Sequence, residues 1–206
     1  MSLEYALEKY PITVELRRGL QCVVRPLAKK DEARWHKFLL AAPEEETLYL
    51  KQPVTDRKIV HEWCMALDYE ENLPLLMLHG AKVVGMATLH QRRGGWRRHI
   101  GLITIMTHPD YCGLNIGRTL SQELVEIAPH LGLRKLEARL TGERTVTLDA
   151  LKAIGFRQLL NLPDYVLDMR CQPHDYVLMG LDLHNSEQDT SLSRLPEVSA
   201  SALLLQ

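Results

Sequence analysis

Between Ile103 and Leu131 the chain changes its hydrophobic period once, and that change narrows what it can fold into. Ile103, Ile105 and Thr107 alternate with Thr104 and Met106, the two-residue period of a strand. Pro109 ends the alternation, and Gly113 and Gly117 follow. From Ile116 the apolar positions Leu120, Leu124, Ile127 and Leu131 step by fours and threes, as on one face of a helix. The stretch predicts a strand that turns through glycines straight into a long amphipathic helix. The first N–H groups of such a helix have no intrahelical acceptor, and the macrodipole places positive charge behind them. Glycine lets an anion approach with no Cβ in the way. Such a corner suits a phosphate or diphosphate.

Periodicity elsewhere predicts an α/β fold, a central and mostly antiparallel sheet flanked by helices. Strands are expected at Leu20–Leu27, Leu75–Leu78, Lys82–His90, His99–Thr107 and Leu133–Leu140. Closing extended segments begin at Gly155 and recur at Val166–Met169 and Tyr176–Leu183. Helices are expected at Asp31–Ala42, after Pro43, at Asp56–Leu67 and at Thr145–Ile154. Residues 1–19 read as a polar lead-in with an extended piece at Ile12–Leu16, and 20–183 as one domain. Residues 184–206, rich in Ser, Asp, Glu and Gln, read as a flexible tail.

Charge excludes several partners. With 25 basic and 26 acidic residues the net charge is −1, so no global field draws the protein to nucleic acid or to an anionic membrane. The one basic cluster, Arg92, Arg93, Arg97 and Arg98 around Trp96, reads as a solvated turn or as a recognition site for an acidic acceptor. No apolar run reaches the roughly 20 residues of a membrane helix. Cys22, Cys64, Cys112 and Cys171 are scattered, which suggests reduced thiols in the cytoplasm rather than disulfides or zinc ligands. The histidines show neither HExxH nor HxH spacing, so no metal site is expected.

A Walker loop needs four residues between its glycines, then Lys; here three separate Gly113 from Gly117, and Arg118 follows. The GxGxxG of a dinucleotide fold is missing. The run Thr107-His108-Pro109-Asp110-Tyr111-Cys112-Gly113-Leu114-Asn115-Ile116-Gly117-Arg118-Thr119-Leu120 instead resembles, without a gap, the coenzyme A turn of the GNAT acetyltransferase superfamily. Val23–Leu27 with Asp31-Glu32 resembles that family's first strand and helix, Lys82–Leu89 its Val-Gly strand, and Ile154-Gly155-Phe156 the end of its last helix. His174–Met179 resembles a closing segment of one bacterial subgroup, so the likeness covers roughly residues 10–183.

The resemblance implies an N-acetyltransferase that moves acetyl from acetyl-coenzyme A to an amine, on a small molecule or a protein lysine. It implies that Ile105, Met106 and Thr107 offer backbone to the pantetheine arm, and that the strand before the turn splays from Leu133–Leu140 to admit it. The amides of Cys112, Gly113, Leu114, Asn115, Ile116 and Gly117 would hold the diphosphate, with Arg118 and Thr119 beside them. Cys112 stands where the usual Gln or Arg falls, and Asn115 where the central Gly falls; Asn tolerates positive φ, so the turn can keep its shape. Relatives often hold a Tyr acid and a Glu base where this chain has Leu151 and Leu102. His99 and Glu143 are the replacement catalytic candidates, each with a bland alternative as a surface or helix-start residue. His174 and Asp175 would order the acceptor side or simply close the sheet, and Tyr111 reads as packing under the turn. A non-catalytic acyl-coenzyme A sensor is the alternative function, and an exposed sheet edge would suit a homodimer.

Overall fold

Leu73-Pro74-Leu75-Leu76-Met77-Leu78 is nearly continuous in apolar residues, the pattern of a strand covered on both faces. In the computed structural model, which describes residues 3–42, 56–168 and 170–183, this segment lies in an eight-stranded sheet with helices on either side. Along the chain run α1 (Leu3–Leu7), β1 (Ile12–Glu15), β2 (Gln21–Pro26), α2 (Glu32–Leu40), α3 (Arg57–Met65), β3 (Asn72–His79), β4 (Lys82–His90) and β5 (Ile100–Thr107). Then come α4 (Ile116–Ile127), β6 (Lys135–Thr141), α5 (Thr145–Lys152), β7 (Arg157–Leu167) and β8 (Pro173–Asp182). The spatial order is β1-β2-β3-β4-β5-β6-β8-β7. Every neighbouring pair is antiparallel except β5 with β6, which the crossover helix α4 makes parallel.

Two cores follow from the strand alternation. Leu73, Leu75 and Met77 join Ile103, Leu120, Leu124, Ile127 and Leu151 under α4 and α5. Leu76, Leu78 and Met106 face the other way, against Trp35, Phe38 and Leu39 of α2 and Val60 and Cys64 of α3. Helix α4 buries Ile116, Leu120, Leu124 and Ile127, the stripe expected from the sequence. It ends earlier than the apolar period suggests, because Pro129 lacks an N–H and the chain tightens into a 3-10 turn at Ala128–Leu131. Leu133 still donates its amide to Ala128, which delays the start of β6 to Lys135. The piece at Ile12–Leu16 supplies β1, the edge strand on β2, and a short helix precedes it. The closing segments expected at Gly155 and Val166 are one strand, β7. The helix expected after Pro43 and the tail 184–206 lie outside the described residues. Among those described, no helix is long and apolar enough to cross a membrane.

One ion pair anchors the entry to α2. Asp31 is 0% exposed and takes two hydrogen bonds from the Arg25 guanidinium, one from Ala28 N–H at 2.9 Å, and the Arg34 charge at 3.4 Å. Burial alone would raise its pKa, but the Arg25 bonds, the Ala28 amide and the two arginine charges overcome that and hold it below the ordinary carboxylate range. Removing one partner of such a pair strands the other, which typically costs about 3–5 kcal/mol. Asp31→Asn is expected to lower stability by about 3 kcal/mol in urea unfolding at pH 7. Because the folded pKa is depressed, the carboxylate contributes fully above its unfolded value near ~4, and that contribution is lost as pH falls through the lower folded value. The stability difference between wild type and Asp31→Asn should therefore narrow as acid is added below about pH 4; a constant gap down to pH 2 would contradict the assignment.

Candidate functional site

The parallel ladder between β5 and β6 joins Ile100–Ile103 to Lys135–Ala138 and stops there. Both strands run on: β5 remains paired to β4 as far as Thr107, and β6 to β8 as far as Thr141. Past Ile103 and Ala138 the sheet is therefore open between them. His108 donates its N–H to Val84 of β4 at 3.0 Å, so even-numbered residues here turn their backbone toward β4. By alternation Ile105 and Thr107 turn theirs into the opening. The carbonyl of Ile105 does accept a hydrogen bond across it, at 3.3 Å, from the Arg144 guanidinium at the start of α5. Met106, expected to offer backbone here, instead faces β4, and its side chain lies in the second core.

The turn that leaves β5 is held from below. His108 Nδ1 accepts the Asp110 N–H at 3.2 Å, and burial, then the Lys82 charge, lower its pKa and favour the neutral ring that can accept. Tyr111 packs edge-on against His108 at 5.6 Å, with Lys82 Nζ 5.1 Å above its ring and paired to Asp110 at 3.2 Å. Gly113 has φ +78° and Asn115 φ +67°, two left-handed residues that swing the chain into α4. Thr119 N–H already bonds Asn115 O at 2.9 Å, and Cys112 N–H bonds Pro109 O at 3.3 Å. Between them, the N–H groups from Gly113 to Arg118 have no acceptor among the described residues. Of the amides expected to hold an anion, that of Cys112 is already bonded, and the unbonded run extends to Arg118. Two close approaches place this run of amides. A Cβ on Gly85 would clash with Ile116 Cγ2, so its absence lets α4 start flat against β4. A Cβ on Gly117 would meet Ile105 Cγ2 at 3.2 Å, so that glycine sets the helix against the rim of the opening.

The proton-transfer candidates are scattered. His99 precedes the last β5–β6 pair by about four residues, ~13 Å along the strand, and its carbonyl is taken by Arg134 and Lys135 N–H at 2.9 and 3.2 Å. It sits at the closed end of the ladder, not at the opening. Glu143 follows β6 at the open end, where Oε1 is 3.1 Å from His174 Nδ1. His174 Nε2 is 3.3 Å from Asp168. A backbone hydrogen bond, then His174, depress the Glu143 pKa, which makes it a weak base. The bonds from Glu143 and Asp168 raise that of His174. Asp175 holds the β7 bend through Asp164 N–H at 3.1 Å. Leu151 is 0% exposed in the core, and Leu102 is half-buried on β5.

Sequence reasoning missed a row across the opening's inner end. The register aligns Asn72, His90, Leu102 and Glu137 on one face of neighbouring strands. His90 Nδ1 lies 2.6 Å from Asn72 Oδ1, and Nε2 lies 3.0 Å from the hydroxyl of Thr104, an exposed residue just past the last β5–β6 pair. Arg144 was missed as well. Alternation along Lys82–His90 gives a face for His90, but its partners are fixed by strand register, which no local pattern carries.

A parallel strand–helix–strand crossover within an antiparallel sheet, opening beside a bare helix N-terminus, defines a class, and comparison with known proteins agrees. The model of the acetyltransferase (GNAT) family matches residues 34–157, and the chain belongs to that family. Its fold is shared with the GNAT domain of S. lividans PAT at a TM-score of 0.71 and 16% identity, covering 85% of this chain and 98% of that one. It is shared with yncA, a putative acetyltransferase from Salmonella typhimurium solved with its cofactor acetyl-CoA, at 0.68 and 17% over 82% and 98% of the chains. A ribosomal-protein-alanine N-acetyltransferase from Brucella melitensis matches at 0.66 and 19% over 77% and 98%. No curated protein matches the sequence significantly.

The acidic clamp on His174 has a checkable consequence. Its imidazole should titrate above ~6.5 in a proton NMR titration, and Glu143→Gln should move that midpoint down. Since the folded pKa is raised, any stability it lends is present below the unfolded value and is lost as pH rises through the folded one. A midpoint unchanged by Glu143→Gln would show that the pair does not form in solution.

Proposed function

We propose that the protein transfers an acetyl group from acetyl-coenzyme A to an amine, by direct attack of the amine on the thioester carbonyl. The observation that carries the reading is the presence, at one end of β5, of two sets of backbone groups left out of the helix and sheet ladders: the amides Gly113–Arg118 and the gap-facing backbone of Ile105 and Thr107. The first would hold the diphosphate and the second the amides of the pantetheine arm, with the Arg118 and Thr119 side chains beside the phosphates. Arg144 stands on the Ile105 carbonyl, so it competes with the arm for that acceptor. Direct attack needs no covalent enzyme intermediate. The chain contributes orientation, backbone N–H groups for the developing oxyanion, and an exit for the ammonium proton. An amine of a small molecule or a protein lysine is the acceptor class.

Calorimetry should give a micromolar dissociation constant for acetyl-coenzyme A, ~−8 kcal/mol. Gly117→Val should weaken binding at least about tenfold, ~1.4 kcal/mol, with the fold retained. Its Cβ would begin 3.2 Å from Ile105, and the added branches would lever the helix start away from the gap. Wild-type protein that shows neither heat nor thermal stabilisation with acetyl-coenzyme A would overturn the reading.

A further inference from the structure

The positions where relatives keep an acid and a base are leucines here; His99 lies at the closed end of the ladder, and Glu143, at the open end, is engaged by His174. An alkylammonium with a pKa near ~10 is only about a thousandth deprotonated at pH 7, so some group must take its proton for the amine to attack efficiently. We propose that Thr104 and His90 form that proton relay, with Asn72 fixing the histidine tautomer; the assignment rests on the acetyltransfer reading above.

Three features place it. Thr104 is exposed in the middle of a strand, just past the last β5–β6 pair, where the opening begins. Ile105, the next residue, faces the α4 side, so Thr104 projects onto the opposite face from the phosphate cradle. A substrate reaching through the gap from α4 meets an acceptor arriving on the Thr104 face. The hydrogen bonds then orient the chain of groups. Asn72 Oδ1 can only accept, so it holds the proton on His90 Nδ1. Nε2 is left with its lone pair toward the Thr104 hydroxyl, which donates to it. The threonine oxygen has lone pairs left for an incoming ammonium.

The step balances. The ammonium gives a proton to Thr104 Oγ1 as the Thr104 proton moves to His90 Nε2, leaving a neutral amine and an imidazolium that still donates from Nδ1 to Asn72. The amine attacks the thioester carbonyl carbon, the C–S bond breaks, and one of the two protons on nitrogen passes to the thiolate, leaving the amide and a free thiol. The imidazolium then returns its proton to solvent.

Charges near the relay are themselves paired. Across Leu102, about two strand spacings or ~10 Å from His90, Glu137 is held by Arg97 and Arg139. Before Asn72, Arg93 pairs with Asp68, Glu70 and Glu71. The helices α2 and α3 meet this side of the sheet through Trp35, Phe38, Leu39 and Val60, and through the Cys64 thiol, whose pKa burial raises.

Two measurements test the relay. Long-range proton–nitrogen NMR of ¹⁵N-histidine protein without ligand should show neutral His90 protonated at Nδ1, and Asn72→Ala should shift it toward the Nε2-protonated form. A wild-type His90 protonated at Nε2 would overturn the relay, because that nitrogen could not accept from Thr104. The second is transfer from acetyl-coenzyme A to a primary alkylamine and to hydroxylamine, which is largely neutral at pH 7, each at saturation. His90→Gln should slow the alkylamine reaction about a hundredfold or more and erase its histidine limb in the pH profile, while the hydroxylamine reaction stays within about threefold. Thr104→Val, at an exposed position that guards against misfolding, should behave alike, and Thr104→Ser should restore the rate. Acetyl-coenzyme A affinity should not change in any of them. Equal losses with both amines, or none, would sink the relay and leave the proposed function standing. Wild-type protein that acetylates neither amine would remove both.

Discussion

Everything at the site depends on one short ladder of parallel hydrogen bonds. The crossover through α4 forces β6 to run beside β5 in the same direction, while each strand is committed on its other edge to an antiparallel partner. The shared pairing holds from Ile100 to Ile103 and fails beyond it. Backbone groups that would normally be satisfied in a sheet are thereby exposed in a cleft. Unsatisfied N–H and C=O groups are costly when buried. Here they lie at the same end of β5 as the bare N-terminus of α4, and the Arg144 guanidinium reaches across to satisfy one of them, the Ile105 carbonyl.

Close packing converts that topology into geometry. The absent side chain at Gly85 brings Ile116 against β4, and the absent side chain at Gly117 brings the helix against Ile105. The left-handed backbone of Gly113 and Asn115 lets the chain turn sharply enough to use both contacts. The buried Arg25–Asp31 pair fixes the start of α2, which covers the second core on the same side of the sheet as His90 and the exposed Thr104.

Local chemistry was legible in the sequence, whereas pairing was not. The period change at Ile103–Leu131 is written in adjacent residues, so the strand, the turn and α4 could be read directly, along with the amides they leave open. Met106 differs from its neighbours Ile105 and Thr107 because a strand turns alternate backbones to opposite edges, a distinction that depends on which edge β4 occupies. The position of His99 at the closed end was not legible either, because proximity in sequence to β5 says nothing about which end of the ladder is open. His90 lay hidden for the same reason: Asn72 and Thr104 reach it only through the register of β3, β4 and β5. Pro129 was visible, and its effect on the end of α4 is a local rule that the apolar spacing outweighed.

The limited β5–β6 ladder also divides the sheet mechanically. Strands β1 to β5 form one antiparallel sheet, and β6, β8 and β7 another, each stitched along most of its length. The line between them is a seam with few backbone bonds, the cheapest place for the sheet to part locally. A ligand lying in that seam with hydrogen bonds to one side and packing on the other would act as a cross-tie. Its binding energy would then be added to the cohesion of the whole sheet, in proportion to the logarithm of its free concentration once well above Kd.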